Sequence, residues 1–167
     1  MEIEQRIAAL GLQLPTMPTA NGKYRTWHID NGLFLTSGQL SRVDDEVIRG
    51  PIRSDDDLEQ AKEAARICAL RCLSVARSAL NDLGAIDQIL SVRGFVAASA
   101  DFTRHSEVLD GASELLVELF GIKGDHIRTA VGVSSLPAGG LIEIEMTARV
   151  TTAIGQLHLK PNYDLAP

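Results

Sequence analysis

Residues 126–150 read HIRTAVGVSSLPAGGLIEIEMTARV, and this stretch decides the fold. Apolar residues recur at every second position in each half of it, which predicts two β-strands with one apolar face and one polar or open face each. The apolar face carries Ile127, Thr129, Val131 and Val133 in the first strand, and Ile142, Ile144 and Met146 in the second. Pro137 and the Gly139-Gly140 pair predict the turn that joins the strands.

The polar face of these strands contains an arginine beside small residues. Arg128 is followed on its own side by Ala130 and Gly132, and the second strand contributes Glu143 and Glu145. This arrangement predicts a pocket for a small anion, because a guanidinium pairs with a carboxylate in a two-pronged geometry that lysine does not reproduce. The alternative is a cross-strand Arg128–Glu145 ion pair on a solvated sheet face, which contributes little to stability. The alternation by itself favours the ion pair.

The composition is that of one folded, acidic domain. The chain has 167 residues, of which 45% are hydrophobic, and a chain of this length buries about 70% of the surface that it exposes when unfolded. The formal net charge is −6, and only 4% of the residues are aromatic. Because nucleic-acid binding needs a basic face and stacking rings, we expect no nucleic-acid partner, and ribonuclease activity is disfavoured.

Cys68 and Cys72 are the only cysteines, and they lie one helical turn apart in an apolar run. Such a pair rarely meets disulfide geometry and has no histidine at metal-ligand spacing, so we expect two reduced core residues and neither metal nor cofactor. The N-terminus carries Glu2 and Glu4 and no long apolar run, which argues against a signal peptide. No stretch is long enough to cross a bilayer, so we expect a cytoplasmic protein without a membrane partner.

The rest of the chain predicts a doubled strand–helix pattern. The expected elements are a short helix over residues 3–10, a hairpin that turns at Asn31-Gly32, a helix over 55–83 that stops at Gly84, a strand within 86–99 and a second long helix closed by Gly121. Arg66, Arg71 and Arg77 are interpreted as a solvated face of the first long helix. Two helices on one face of a mixed sheet would bury the apolar positions, which predicts an α+β fold. We expect one domain over residues 1–150, with residues 1–13 as a helical extension and residues 151–167 as a tail.

Three segments resemble one protein family. The segment RTAVGVSSLP from Arg128 to Pro137, followed by IEIE, resembles the C-terminal signature of the RidA/YjgF family, which is also known as endoribonuclease L-PSP. Thr36-Ser-Gly-Gln39 is similar to the family's Ser-Gly-Gln motif, and Gly22-Lys-Tyr24 stands where shorter members have Gly-Pro-Tyr. The resemblance extends over most of the chain and is typical of a longer branch of the family.

The resemblance implies a chorismate-mutase-like α+β fold, in which two helices pack on one face of a mixed sheet. It also implies a homotrimer whose sheets line a central barrel, with pockets between neighbouring subunits. Family members that carry the signature arginine hydrolyse reactive imines of small 2-amino acids to 2-oxo acids and ammonium.

The resemblance also assigns residues of this chain to the pocket. Arg128 would hold the carboxylate of the substrate, and Glu143 would orient the attacking water or transfer a proton. Backbone amides would hold further polar atoms of the ligand, and a tyrosine would close the pocket. The residues expected to border the ligand are Tyr24, Ser37, Gly38 and Ala130, the last of which replaces a cysteine of many shorter members.

Two other functions stay open at this point. The same pocket would serve a non-catalytic trimer that binds a small carboxylate metabolite and reports it to partner proteins. Release of ammonium or of a 2-oxo acid from an enzymatically generated imine separates this sensor from a hydrolase. Endoribonuclease activity is a third and weaker alternative, because of the acidic charge and the few aromatic residues.

Overall fold

The computed structural model describes residues 3–20 and 22–151. Within these residues the helices are α1 (Ile3–Ala9), α2 (Leu58–Leu80) and α3 (His105–Phe120). The strands are β1 (Trp27–Asp30), β2 (Leu33–Thr36), β3 (Gln39–Leu40), β4 (Arg42–Val43), β5 (Glu46–Val47), β6 (Ile86–Ala97), β7 (Ile127–Val133) and β8 (Ile142–Val150). The predicted tail, apart from residue 151, lies outside the described residues.

A mixed sheet forms the centre of the fold. Its strands follow the order β1-β2-β8-β6-β7, and β3 extends the sheet beside β8. The pair β6–β7 is parallel, whereas β8 is antiparallel to β2, β3 and β6. The strands β4 and β5 form a separate two-stranded hairpin. Both strands predicted from residues 126–150 are therefore present, as β7 and β8, but they are not neighbours in the sheet.

The predicted cross-strand ion pair between Arg128 and Glu145 is wrong. Because β6 lies between β7 and β8, Arg128 is opposite Val92 of β6, and Glu145 is opposite Arg93. Arg93 and Glu145 form the ion pair that the alternation had suggested for Arg128. The alternation identified the strands correctly, but it carries no information about which strands become neighbours.

The helices α2 and α3 pack against each other and cover one face of the sheet. The buried residues under them include Val92 and Val96 of β6, and Ile142, Ile144, Met146, Ala148 and Val150 of β8. On α2 many of the buried side chains are small, among them Ala61, Ala65, Cys68, Cys72 and Ala76. Small side chains let a helix lie close to its neighbours. The predicted α+β fold with two helices on a mixed sheet is confirmed.

Residues with a left-handed backbone end the long helices and form the first hairpin turn. Helix α2 ends at Leu80 and is capped by Asn81, whose φ is 63°, so it stops before the predicted Gly84. Gly121, with φ 61°, closes α3 as predicted, and Asn31 and Gly32 have positive φ in the β1–β2 turn. Glycine and asparagine tolerate this conformation better than most other residues do. Across residues 3–20 and 22–151, no helix combines the length and the apolar character needed to span a membrane.

The short helix α1 packs onto the rest of the domain. Ile7 is buried, and Arg6 Nη1 donates a hydrogen bond to the carbonyl of Leu119 at 2.6 Å. Glu4 Oε1 lies 3.2 Å from Arg77 Nε of α2. These contacts fix the start of the connector that leads from α1 to β1.

The face of the sheet that the helices do not cover carries exposed apolar side chains. Leu33 and Leu35 of β2 are 40% and 38% exposed, and Ile127 and Val131 of β7 are 75% and 41% exposed. Strand β7 lies at the sheet edge and directs Arg128 toward α3, so its apolar side is turned away from the helices. Exposed apolar surface of this kind is typical of protein association. The homotrimer stays a prediction.

The contact between α2 and α3 depends on Gly111, because a Cβ at this position would overlap the backbone carbonyl of Lys62. Overpacking usually costs about 1–3 kcal/mol, and an overlap with backbone atoms belongs at the upper end of this range. Because the preference of a helix for alanine over glycine offsets about 1 kcal/mol of it, we expect Gly111→Ala to lower the free energy of unfolding by about 2 kcal/mol. Denaturant unfolding measures the difference.

The matched control for this prediction is Glu118→Ala, on the exposed side of the same helix. It should change the stability by less than about 0.5 kcal/mol. A Gly111→Ala protein as stable as the parent would show that the two helices separate without cost.

Candidate functional site

A cavity of about 520 Å³ lies beside the segment that connects the end of β2 to the start of β3. Its walls come from the connector after α1, from α2, from β8 and from the β4–β5 hairpin. The lining residues include Thr16, Thr19, Tyr24, Ser37, Gly38, Gln39, Arg42, Arg71 and Glu143. The volume is in the range of small-molecule sites, and the polar lining favours a polar ligand.

A bulge opposite β8 shapes one wall of the cavity. Leu35 is paired with Thr147, and Gln39 is paired with Ile144. Four steps along the first segment, from 35 to 39, therefore face three steps along β8, from 147 to 144. One extra residue must fall between the pairs, and it interrupts the ladder at Ser37-Gly38. Bulges of this kind redirect side chains and are frequent next to functional sites.

Side-chain hydrogen bonds hold the bulge in place. The hydroxyl of Thr36 accepts the backbone N–H of Met146 at 3.0 Å, so this N–H keeps a partner where the ladder is interrupted. The buried Gln39 donates from Nε2 to both the carbonyl and the hydroxyl oxygen of Ser37, each at 3.2 Å. The N–H of Ser37 donates to the carbonyl of Thr26 at 2.8 Å. The position of Ser37 is thus set by three hydrogen bonds, two to Gln39 and one to Thr26.

Glu143 projects from β8 over Gly38. A Cβ at position 38 would overlap the Glu143 carboxylate, so glycine leaves room that other residues would fill. Burial raises the pKa of the Glu143 carboxyl above its ordinary value of 4.5, and the negative charge of Glu145 raises it further. A half-buried carboxyl with a raised pKa can exchange a proton closer to neutral pH than a surface glutamate can.

Arg71 and Arg42 are cavity residues that the sequence interpretation missed. The sequence places Arg71 on a solvated helix face, but it lines the cavity, and its Nε is buried without a hydrogen-bond partner. Burial lowers the pKa of its guanidinium, and the charge of Arg42 on β4 also lowers it. A signal was available in the sequence, because Arg71 stands inside a largely apolar run from Cys68 to Ala76. In the structure all residues of this run except Arg71 are buried. An arginine inside such a run points into the protein or along its boundary.

Arg128 lies outside the cavity and already has partners in its own chain. Its Nη1 donates to Asp110 Oδ1 at 2.9 Å and to the Ser113 hydroxyl at 3.0 Å, and its Nη2 donates to the Ser106 hydroxyl at 2.8 Å. All three partners belong to α3. Ala130 is on the same strand as Arg128, at the opposite edge of the sheet from β1. Within one chain, the fold gathers four of the predicted residues at the cavity, namely Tyr24, Ser37, Gly38 and Glu143.

Both cysteines, and the histidines within the described residues, lie outside this site. Cys68 and Cys72 are free and buried, as predicted, and burial raises the pKa of the Cys72 thiol to about 12. Such thiols stay protonated and unreactive at neutral pH. His126 bonds through Nδ1 to the Gly124 carbonyl at 2.6 Å and through Nε2 to the Ser113 hydroxyl at 3.0 Å. In the part of the chain that the structure describes, no three or more His, Cys, Asp and Glu residues are grouped as a metal would require.

Comparison with known proteins gives one family and several relatives. The model of the family described as "YjgF/chorismate_mutase-like, putative endoribonuclease" matches residues 4–150. Protein TCP17 of Trypanosoma cruzi is 34% identical over 146 residues, which are 84% of this chain and 91% of that protein.

Solved structures give the same result for the fold. The protein Atu1372 of Agrobacterium tumefaciens, described as of unknown function, is 35% identical with a TM-score of 0.81, over 90% of this chain and 94% of that chain. A "putative endoribonuclease" of Shewanella oneidensis MR-1 is 28% identical with a TM-score of 0.86, over 90% and 100% of the two chains. Escherichia coli TdcF with bound serine shares the fold at 21% identity, with a TM-score of 0.57 over 80% and 92% of the chains.

The raised pKa of Glu143 predicts a pH-dependent stability. The folded state favours the protonated carboxyl, so stability is lost as pH rises from the ordinary value of 4.5 through the raised pKa of the folded protein. Glu143→Gln, which has no charge to bury, should therefore melt at a higher temperature than the parent at pH 7. Thermal unfolding measured at several pH values checks this.

The difference between the variant and the parent should shrink as pH falls below 4.5, where the parent carboxyl is also neutral. The matched control is Glu46→Gln, which removes an exposed carboxylate of the β4–β5 hairpin. The interpretation fails if Glu143→Gln is no more stable than the parent at pH 7.

Proposed function

This chain belongs to the YjgF/chorismate mutase-like family, and we propose that it hydrolyses the imines of small 2-amino acids to 2-oxo acids and ammonia in the cavity beside Gly38. The observation that carries the proposal is the half-buried Glu143 carboxyl, which overhangs Gly38 and has a raised pKa. A polar cavity with one proton-exchanging carboxyl and unpaired arginines suits a small substrate that is itself an anion.

The reaction needs only water as its second reactant. The oxygen of a water molecule forms a bond to the imine carbon, the carbon–nitrogen bond breaks, and the nitrogen leaves as ammonia while the carbon becomes the carbonyl of a 2-oxo acid. Glu143 would transfer both protons of the attacking water to the nitrogen, the first as the carbon–oxygen bond forms and the second as the carbon–nitrogen bond breaks, so that it ends the cycle unchanged. The Ser37 hydroxyl and the backbone around Gly38 would position the imine group.

The carboxylate of the substrate would be held by Arg128 of a neighbouring subunit. Arg128 is on the edge strand β7, next to exposed Ile127 and Val131, so this edge suits a subunit boundary in the proposed homotrimer. The three α3 contacts of Arg128 would orient its guanidinium without covering all of its donors. E. coli TdcF, which shares the fold, holds serine, a small molecule with a carboxylate next to a nitrogen-bearing carbon.

A sensor that binds a 2-oxo acid without turnover is the second candidate. The cavity would be equally suited to it, because the same groups would hold the ligand. An assay of ammonium release separates the two functions. The net charge of −6 gives no support to binding of RNA.

The first test of this function removes the carboxylate of Glu143 or moves it. Glu143→Gln should keep the affinity for a simple 2-oxo acid within a few-fold and reduce turnover by about 100- to 10,000-fold, the contribution of a general acid–base group. Gly38→Ala should also reduce turnover, because its Cβ displaces the same carboxylate. Ammonium release from an enzymatically generated imine and calorimetric titration measure the two quantities. Unchanged turnover in Glu143→Gln would reduce Glu143 to a charge on the sheet surface.

The second test concerns Arg128. Arg128→Lys keeps the charge but loses the two-pronged geometry, so it should be nearly as damaging to 2-oxo acid binding as Arg128→Ala, at about 1.5–3 kcal/mol. Light scattering should show that both variants remain trimers. Arg149→Lys is the matched control, since Arg149 forms its own ion pair with Asp87 on the neighbouring strand.

Three outcomes of the Arg128 test would count against the proposal. If Arg128→Ala binds and turns over like the parent, the arginine serves only its contacts with α3. A monomeric parent would exclude a site completed by a neighbouring subunit. If the parent binds a 2-oxo acid but hydrolyses no imine, the sensor replaces the hydrolase.

A further inference from the structure

Two arginines of the cavity have no carboxylate partner. Arg71 of α2 and Arg42 of β4 form no ion pair and no side-chain hydrogen bond with residues 3–20 or 22–151. Asp44 and Asp45 also line the cavity, but both are exposed in the β4–β5 turn and neither is paired with these arginines. Arg128, in contrast, is held by Asp110.

The surroundings of Arg71 make an anion its natural partner. Its Nε is buried without an acceptor, and leaving a charged donor buried and unsatisfied is costly. The nearby positive charge of Arg42 adds repulsion, which an anion between the two would turn into attraction. A guanidinium offers a carboxylate two parallel donors, so the pair is suited to hold one carboxylate firmly.

We propose that Arg71 and Arg42 form a second anion subsite in this cavity, and that the ligand is a 2-imino or 2-oxo acid with a second carboxylate at its far end. The inference rests on the proposed function, which assigns the first carboxylate to the partner subunit's Arg128. The second carboxylate is bound by groups that one chain supplies alone, from α2 and from the β4–β5 hairpin. This subsite sets the substrate class as dicarboxylic.

The charges around the subsite favour a carboxylate over a phosphate, and the cavity volume allows a ligand long enough to reach it. The cavity also contains Glu143, Asp44 and Asp45, so two positive charges face three acidic groups. A carboxylate adds a single negative charge, whereas a phosphate group adds about 1.5 to 2 at neutral pH and meets more repulsion. The volume of about 520 Å³ is more than a three-carbon acid needs, which leaves room for a longer chain.

The test is calorimetric titration of the full-length protein with two ligands that differ at one end. 2-Oxoglutarate carries the second carboxylate, and 2-oxopentanoate has the same number of carbon atoms but ends in a methyl group. The parent should bind 2-oxoglutarate at least 10-fold more tightly. Arg71→Gln should weaken 2-oxoglutarate by roughly 10- to 100-fold, the effect of losing a charge-assisted hydrogen bond, and should leave 2-oxopentanoate within about twofold.

Arg66→Gln is the matched control, because Arg66 is on the same helix and also has a buried Nε without a partner, but does not line the cavity. It should leave both affinities unchanged. Arg42→Gln, in the hairpin and away from the core, should weaken 2-oxoglutarate selectively and keeps the test valid if Arg71→Gln does not fold.

Three results would overturn the subsite. They are equal affinity of the parent for the two ligands, an equal loss of both ligands in Arg71→Gln, and the same loss in Arg66→Gln as in Arg71→Gln. Because the titration measures binding without turnover, the proposal of the subsite and the proposal of hydrolysis can be contradicted independently of each other. A protein that prefers 2-oxoglutarate through Arg71 but hydrolyses no imine would keep the subsite and lose the proposed reaction.

Discussion

Strand β8 pairs on one side with β6 and on the other side with two strands in succession, β2 and then β3. The two partners cannot keep one uninterrupted register, because the segment from 35 to 39 has one residue more than the part of β8 that it faces. This mismatch opens the ladder at Ser37-Gly38. The cavity, the placement of Glu143 and the role of the Thr36 and Gln39 hydrogen bonds all follow from it. A continuous strand would close this edge with ordinary backbone pairs.

Alternate side chains of β8 point to opposite faces of the sheet, so one set belongs to the core and the other to the site. Ile142, Ile144 and Met146 are buried under the helices, while Glu143 and Glu145 lie between them on the other side. Glu145 is paired with Arg93, so its charge is compensated. Glu143 has no such pair among the described residues, and its burial raises its pKa. A carboxyl that is costly to ionise in the folded state lowers stability, and the same property suits it to proton transfer.

The arginines divide into those with partners and those without. Arg128 is hydrogen-bonded to Asp110 and two serines of α3. It belongs to the edge strand β7, which also exposes Ile127 and Val131. Arg71 lines the cavity and has no acceptor for its buried Nε. An arginine with internal partners is oriented before a ligand arrives, and one without partners is left to be satisfied by the ligand. The two would therefore contribute differently to binding.

The sequence by itself determined the long helices, the long strands and the family, but not the short strands β3, β4 and β5. The period of two in β7 and β8, the helical spacing of apolar residues in α2 and α3, and the Asn31-Gly32 turn are local patterns that each segment carries alone. The signature from Arg128 to Pro137 was enough to indicate the family, and the match over residues 4–150 confirmed it.

The tertiary structure decided which of these segments meet. It inserted β6 between β7 and β8, so Arg128 is separated from Glu145 by a strand and pairs with Asp110 instead. It also placed Arg71 at the cavity, whereas the sequence predicts a solvated position for this residue. Helical and strand periodicity report only which face of an element is buried. The order of strands, and the direction in which a long side chain at the edge of a buried face extends, depend on long-range packing that no local pattern encodes.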